Sequence, residues 1–112
     1  MIVKLTSDKY SIDEMFRFVR NTYKIGELSD VTYEGIVRVY GDPSILHCEN
    51  DESDGKIQVE WVFEINQRPF TIYDWKTYDV DFTMEKLKNW SIGSLSEDEE
   101  VVKQLKKSLK KT

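Results

Sequence analysis

Lys56-Ile57-Gln58-Val59-Glu60-Trp61-Val62-Phe63-Glu64-Ile65-Asn66 reads as a β-strand with two unlike faces. The odd positions Ile57, Val59, Trp61, Phe63 and Ile65 are apolar. Lys56, Gln58, Glu60, Glu64 and Asn66 are polar, with Val62 the exception. Side chains alternate across a strand, so the pattern predicts one buried face and one wet face. Asn66-Gln67-Arg68-Pro69 then reverses the chain, and residues 70–78, Phe-Thr-Ile-Tyr-Asp-Trp-Lys-Thr-Tyr, are rich in β-branched and aromatic types. The two runs are expected to pair as an antiparallel hairpin.

Upstream of the hairpin, Ser44-Ile45-Leu46-His47-Cys48 reads as a further short strand, and Glu49 to Gly55 as a polar turn. A sheet of three or four antiparallel strands over about 44–78 follows. The opening Met1 to Thr6 alternates weakly and fits a short strand. Ser11-Ile12-Asp13-Glu14 has capping-box spacing, in which hydroxyl and carboxylate each satisfy an orphan backbone donor. Ile12, Met15, Phe16, Val19 and Tyr23 fall on one helical stripe, predicting a first helix over about 12–24 with that stripe in the core. Tyr33, Ile36, Val37 and Tyr40 keep the same spacing, with Ser29 or Thr32 to cap and Gly41 before Pro43 to stop. Ser96 to Glu99 repeats the capping-box pattern, and Val101 or Val102, Leu105 and Leu109 mark a last helix over about 97–110. Residues 1–112 therefore read as a single α+β domain: two N-terminal helices, the sheet, and a C-terminal helix packed across the sheet or along its edge.

At 112 residues with 12% aromatics, the chain has material for one core without staples. Its single cysteine, Cys48, cannot close an internal disulfide, and the first residues lack the basic start and apolar run of a secretory signal, so a cytoplasmic location is expected. Charge breaks every hydrophobic run, so no membrane span is expected. A net charge of −5 argues against direct nucleic-acid binding, which needs clustered Lys and Arg. Residues 51–100 hold thirteen acids against five bases, and 101–112 hold five lysines and no acid. The last helix accounts for part of this, with Glu97 to Glu100 at its positive end and Lys106, Lys107, Lys110 and Lys111 at its negative end.

Chemistry-bearing residues are sparse. Asn50-Asp51-Glu52-Ser53-Asp54-Gly55 is similar to the start of a calcium loop, but Trp61 stands where the bidentate Glu belongs, which favours a solvated turn. His47 and Cys48 are adjacent, point to opposite faces of a strand, and have no second His or Cys to complete a soft metal site. The same adjacency keeps them from acting as a nucleophile and base pair. No metal, cofactor or catalytic set is expected. Asp74 falls on the apolar face of its strand, where a carboxyl is either a perturbed acid or, more commonly, a hydrogen-bonded structural group. The cluster Tyr73, Trp75, Tyr78 and Trp90 is the strongest candidate contact surface, since Tyr and Trp give large contact areas at low entropy cost. The alternative is that a helix covers it.

Gly41-Asp42-Pro43, Asp54-Gly55-Lys56, Glu60-Trp61-Val62-Phe63, Thr71 to Lys76 and Trp90-Ser91-Ile92-Gly93 form a pattern over residues 36–95. It resembles a group of small proteins encoded by phages and large DNA viruses, which implies a viral setting and no mechanism. Two helices with a Gly-x-Pro stop ahead of an antiparallel sheet are also similar to the half-domain of β-lactamase inhibitory proteins, in which the sheet is the binding surface; the spacing departs after residue 78.

The expectation is a non-enzymatic viral accessory protein in the host cytoplasm that binds and inhibits or redirects a host protein. Tyr73, Trp75, Tyr78 and Trp90 would serve as anchors, with Asp51, Glu52 and Asp54, beside residues 97–100, for electrostatic complementarity. Self-association into a homodimer is left open. The competing class is a protein that sequesters a nucleotide signal between aromatic rings, with Arg17, Arg20 or Arg38 on the phosphate. An acidic mimic of nucleic acid is a third idea.

Overall fold

The helix starts written in the sequence form largely as read. The computed structural model describes residues 2–49 and 55–109. In α1 (Ile12–Phe18), Ser11 Oγ accepts from Glu14 N and Glu14 Oε1 accepts from Ser11 N, completing the capping box. In α2 (Tyr33–Tyr40), Thr32 Oγ1 accepts from Gly35 N, and Gly41 ends the helix at φ 82°, in the left-handed region that glycine tolerates. The last helix, α4 (Glu99–Leu109), is capped by Asp98, whose Oδ1 accepts from Val101 N, in place of the expected Ser96. Asp98 Oδ2 also meets Arg68 at 3.1 Å, tying the helix start to the sheet.

The sheet has six strands: β1 (Ile2–Lys4), β2 (Tyr23–Leu28), β3 (Ile45–Leu46), β4 (Val59–Ile65), β5 (Arg68–Tyr73) and β6 (Trp90–Ser94). They run β1-β4-β5-β6-β2, with β3 sharing the β4 edge with β1, and every pairing is antiparallel. The β4–β5 hairpin pairs Ile65 with Arg68 through Glu60 with Tyr73, as its alternation predicts. The sheet is wider than the three or four strands expected, because β2 and β6 add a second antiparallel pair. A short α3 (Val80–Glu85), capped by Asp79, connects β5 to β6 and was not anticipated.

Three further expectations are corrected. The first helix stops at Phe18: Asn21 adopts φ 68° and the chain turns back through bonds from Thr22 N and Thr22 Oγ1 to Val19 O. Tyr23 therefore begins β2, and Ile12 and Tyr23 are each 50% exposed instead of in the core. His47 and Cys48 lie in a 3-10 turn (His47–Glu49) instead of a strand. The polar face of β4 is also covered, with Glu60 only 6% exposed.

Burial is thus two-sided. On one face Trp61, Phe63, Phe70, Ile72, Trp90 and Ile92 pack against Ile36 of α2 and Val101, Leu105 and Leu109 of α4. On the other, Val62 packs with Leu5, Met15 of α1 and Ile45. Val62, the one break in the alternation, is the residue that seats α1. No described helix is long and apolar enough to cross a membrane.

Candidate functional site

α1 covers only the β1–β4 end of its face of the sheet. Beyond it, register places Glu60 opposite Tyr73 and Tyr73 opposite Ser91, so that these three side chains form a row across β4, β5 and β6. The next row is Val62, Thr71 and Gly93. A groove of about 490 Å³ lies over the first row, with Glu60, Tyr73 and Ser91 beneath it and Tyr23, Lys24, Ile57 and Trp75 around it.

Glu60 is held in place by its neighbours. His47 Nε2 lies 2.8 Å from Glu60 Oε1, and the Thr71 hydroxyl donates to Glu60 Oε2. The imidazole is itself set by the Phe16 ring, with centroids 5.5 Å apart. A carboxylate so buried keeps a hydrogen bond on each oxygen, as low-dielectric surroundings require. Its charge is felt nearby: burial, then Glu60, pushes the Tyr73 phenol above its ordinary value, with a Ser91 hydrogen bond opposing. Partial desolvation of the sulfur and the Glu49 charge likewise push the Cys48 thiol up, so it rests as the poorly nucleophilic thiol.

Trp75 and Tyr78 project from the β5–α3 connection, and this connection is built around Asp74. Asp74 is fully buried. Its Oδ1 accepts from Gln58 N at 2.8 Å and Val59 N at 3.0 Å, and its Oδ2 from the Thr77 hydroxyl. The Thr83 hydroxyl lies 3.3 Å from the same Oδ2 and 2.9 Å from Asp79 O, linking the knot to α3. Lys76 N donates to Lys56 O at 2.6 Å, fastening the connection to the approach to β4. Within this frame Lys76 and Tyr78 both take the left-handed backbone region, at φ 56° and 55°. Such conformations cost non-glycine residues about 1 kcal/mol or more each, and they persist only where the surroundings impose them. The outcome is a fixed presentation of large side chains: Trp75 is 51% exposed, Tyr78 58% and Phe82, on α3, 43%.

No family model, curated protein or solved structure matches the chain. The candidate site therefore rests on its own geometry.

Of the four aromatic residues singled out in the sequence, the structure brings Tyr73 and Trp75 together, with rings 6.3 Å apart and nearly perpendicular at 86°. Tyr78 stays on the same connection. Trp90 does not belong with them: it is 1% exposed, stacks edge-on against Trp61 at 5.5 Å, and donates from Nε1 to Val31 O at 2.8 Å. It is a core residue, because β6 is a central strand and places Trp90 on the helix-covered face. Asp51, Glu52 and Asp54 lie outside the described residues, as does most of the calcium-like turn. Arg17, Arg20 and Arg38 do not line the aromatic groove. Arg38 pairs with Glu34 on the outer face of α2, while Arg17 and Arg20 edge a separate shallow hollow with Asp13 and Phe16. Glu60 and His47 were missed as a pair. The signal available was Val62, whose apolar side chain on the supposedly wet face indicates cover there.

Proposed function

We propose that this protein is a binding module that acts on a protein partner, without catalysing a reaction, through the aromatic surface of the β5–α3 connection. The observation that carries the reading is the exposure of Trp75, Tyr78 and Phe82 within eight residues of chain, on a backbone held rigid by Asp74. Large aromatic groups exposed together on a small domain are costly in water and typical of binding hot spots. A pre-set connection also lowers the ordering cost of association. Asp74, the carboxyl best placed by sequence for acid–base work, is enclosed by its own donors, which supports binding over catalysis. The viral accessory role, a host-cytoplasm setting and inhibition of a host protein are part of the same proposal and come from the sequence pattern.

The test is affinity capture with the wild type and with a Trp75→Ala/Tyr78→Ala double variant, after both are shown to melt alike. A stoichiometric partner held by the wild type and lost by the variant is the expected result. A partner retained equally by both would sink the assignment of the surface.

A further inference from the structure

We propose that the groove over Glu60 is a small-molecule site, shaped for a planar heteroaromatic ring that carries two adjacent N–H donors, as a guanine-type base does. Its volume of about 490 Å³ suits a mononucleotide-sized guest. Tyr73 and Trp75 make a right-angled aromatic corner, so a flat ring can lie on one face while its edge meets the other. At the base of that corner stands Glu60. Among the described residues each of its oxygens takes one bond, from His47 and from Thr71. A carboxylate offers about four acceptor positions, so each oxygen keeps one for a guest, and the two together match a pair of parallel N–H donors.

The same geometry discriminates. A guanine edge presents a ring N–H beside an amino group, both donors. An adenine edge sets its amino group beside a bare ring nitrogen, which would face a carboxylate oxygen with no proton between them. On the rim, Lys24 lines the groove and pairs with Glu27 at 3.8 Å, and the Lys76 ammonium lies 5.7 Å from the Trp75 ring centre. An arginine side chain carries the same pair of N–H donors but is smaller than the two-ring base that a groove of about 490 Å³ with a two-walled aromatic corner accommodates. The groove shares Trp75 with the protein-binding surface, while Tyr78 and Phe82 do not line it, so Tyr78→Ala separates the two readings.

The experiment is calorimetric titration of the full chain with guanosine monophosphate, adenosine monophosphate and arginine amide. The expected result is binding of the guanine nucleotide with a preference of about tenfold over the adenine one. Trp75→Ala, at an exposed position that leaves the fold intact, should weaken it about tenfold, whereas Tyr78→Ala should leave it unchanged. Glu60→Gln should abolish the preference, because an amide presents one acceptor and one donor. Absence of guanine nucleotide binding, equal affinity for the two nucleotides, tighter binding of arginine amide, or indifference to Trp75→Ala would each overturn the proposal.

Discussion

Asp74 and Trp75 are neighbours in sequence and occupy opposite environments, one fully buried and the other half exposed. The carboxylate organises the connection that displays the ring. Asp74→Asn keeps the shape but replaces one acceptor with an N–H₂ group, which then meets a backbone or hydroxyl donor; we expect a loss of about 2 kcal/mol. Hydrogen exchange at the Gln58 and Val59 amides should quicken selectively, and unchanged exchange there would refute the role given to Asp74. The two tryptophans separate core from surface in the same way. Trp90→Ala removes a ring packed on Trp61 and should cost about 3–5 kcal/mol. Trp75→Ala should stay within about 0.5 kcal/mol in a denaturant titration. Sequence made both candidates equal because composition and spacing identify an aromatic residue but not the layer that covers it.

Among the elements, those with local signals were legible. α1 and α2 announce themselves by caps three residues from their backbone donors, and β4 by an alternation that only Val62 breaks. The Glu14 carboxyl is held below its ordinary 4.5 by the Ser11 N–H, then by the Ser11 hydroxyl. A group whose folded value is depressed stabilises the fold above its unfolded value, and that contribution is lost as pH falls through the folded one. The stability difference between wild type and Glu14→Gln should therefore be constant near neutrality and shrink in acid; a difference that grows in acid would contradict the capping box. β2 and β6 carried no comparable signal. Tyr23 sits at a helical position relative to Val19, so the helix pattern absorbed the start of β2 until Asn21 broke it. β6 is five residues long and holds Gly93, where a Cβ would lie 2.9 Å from Thr71 Cγ2 and 3.3 Å from Tyr73 Cε1. Thr71 is buried and cannot withdraw, so Gly93→Ala should cost about 1–3 kcal/mol by overpacking. It should also turn Tyr73 away from Glu60, bringing the phenol's raised titration back toward its ordinary value in an ultraviolet pH titration.

At the scale of the whole molecule, the order β1-β4-β5-β6-β2 means that the most legible part, the β4–β5 hairpin, is the part least able to stand alone. β4 needs β1 from the chain start on one edge, and β5 needs β6 on the other, with β2 closing that side through pairs such as Leu28 with Trp90. The β1–β4 and β2–β6 pairings join residues some sixty to seventy positions apart, as Ile2 with Ile65 and Leu28 with Trp90, and no local periodicity encodes them. Both faces of β4 are buried, one under α2 and α4 and the other under α1, so an excised hairpin would expose Trp61, Phe63, Phe70 and Ile72 on one side and Val62 on the other. An isolated two-stranded hairpin is marginal at best in water, and β3 adds only the two residues Ile45 and Leu46 to it. A peptide spanning residues 44–78 should therefore show no cooperative thermal transition and no dispersed amide spectrum, while the full chain shows both. If the peptide unfolds cooperatively as a monomer, the hairpin is an autonomous unit, and the long-range strands would serve to build the groove over Glu60 instead of to hold the sheet together.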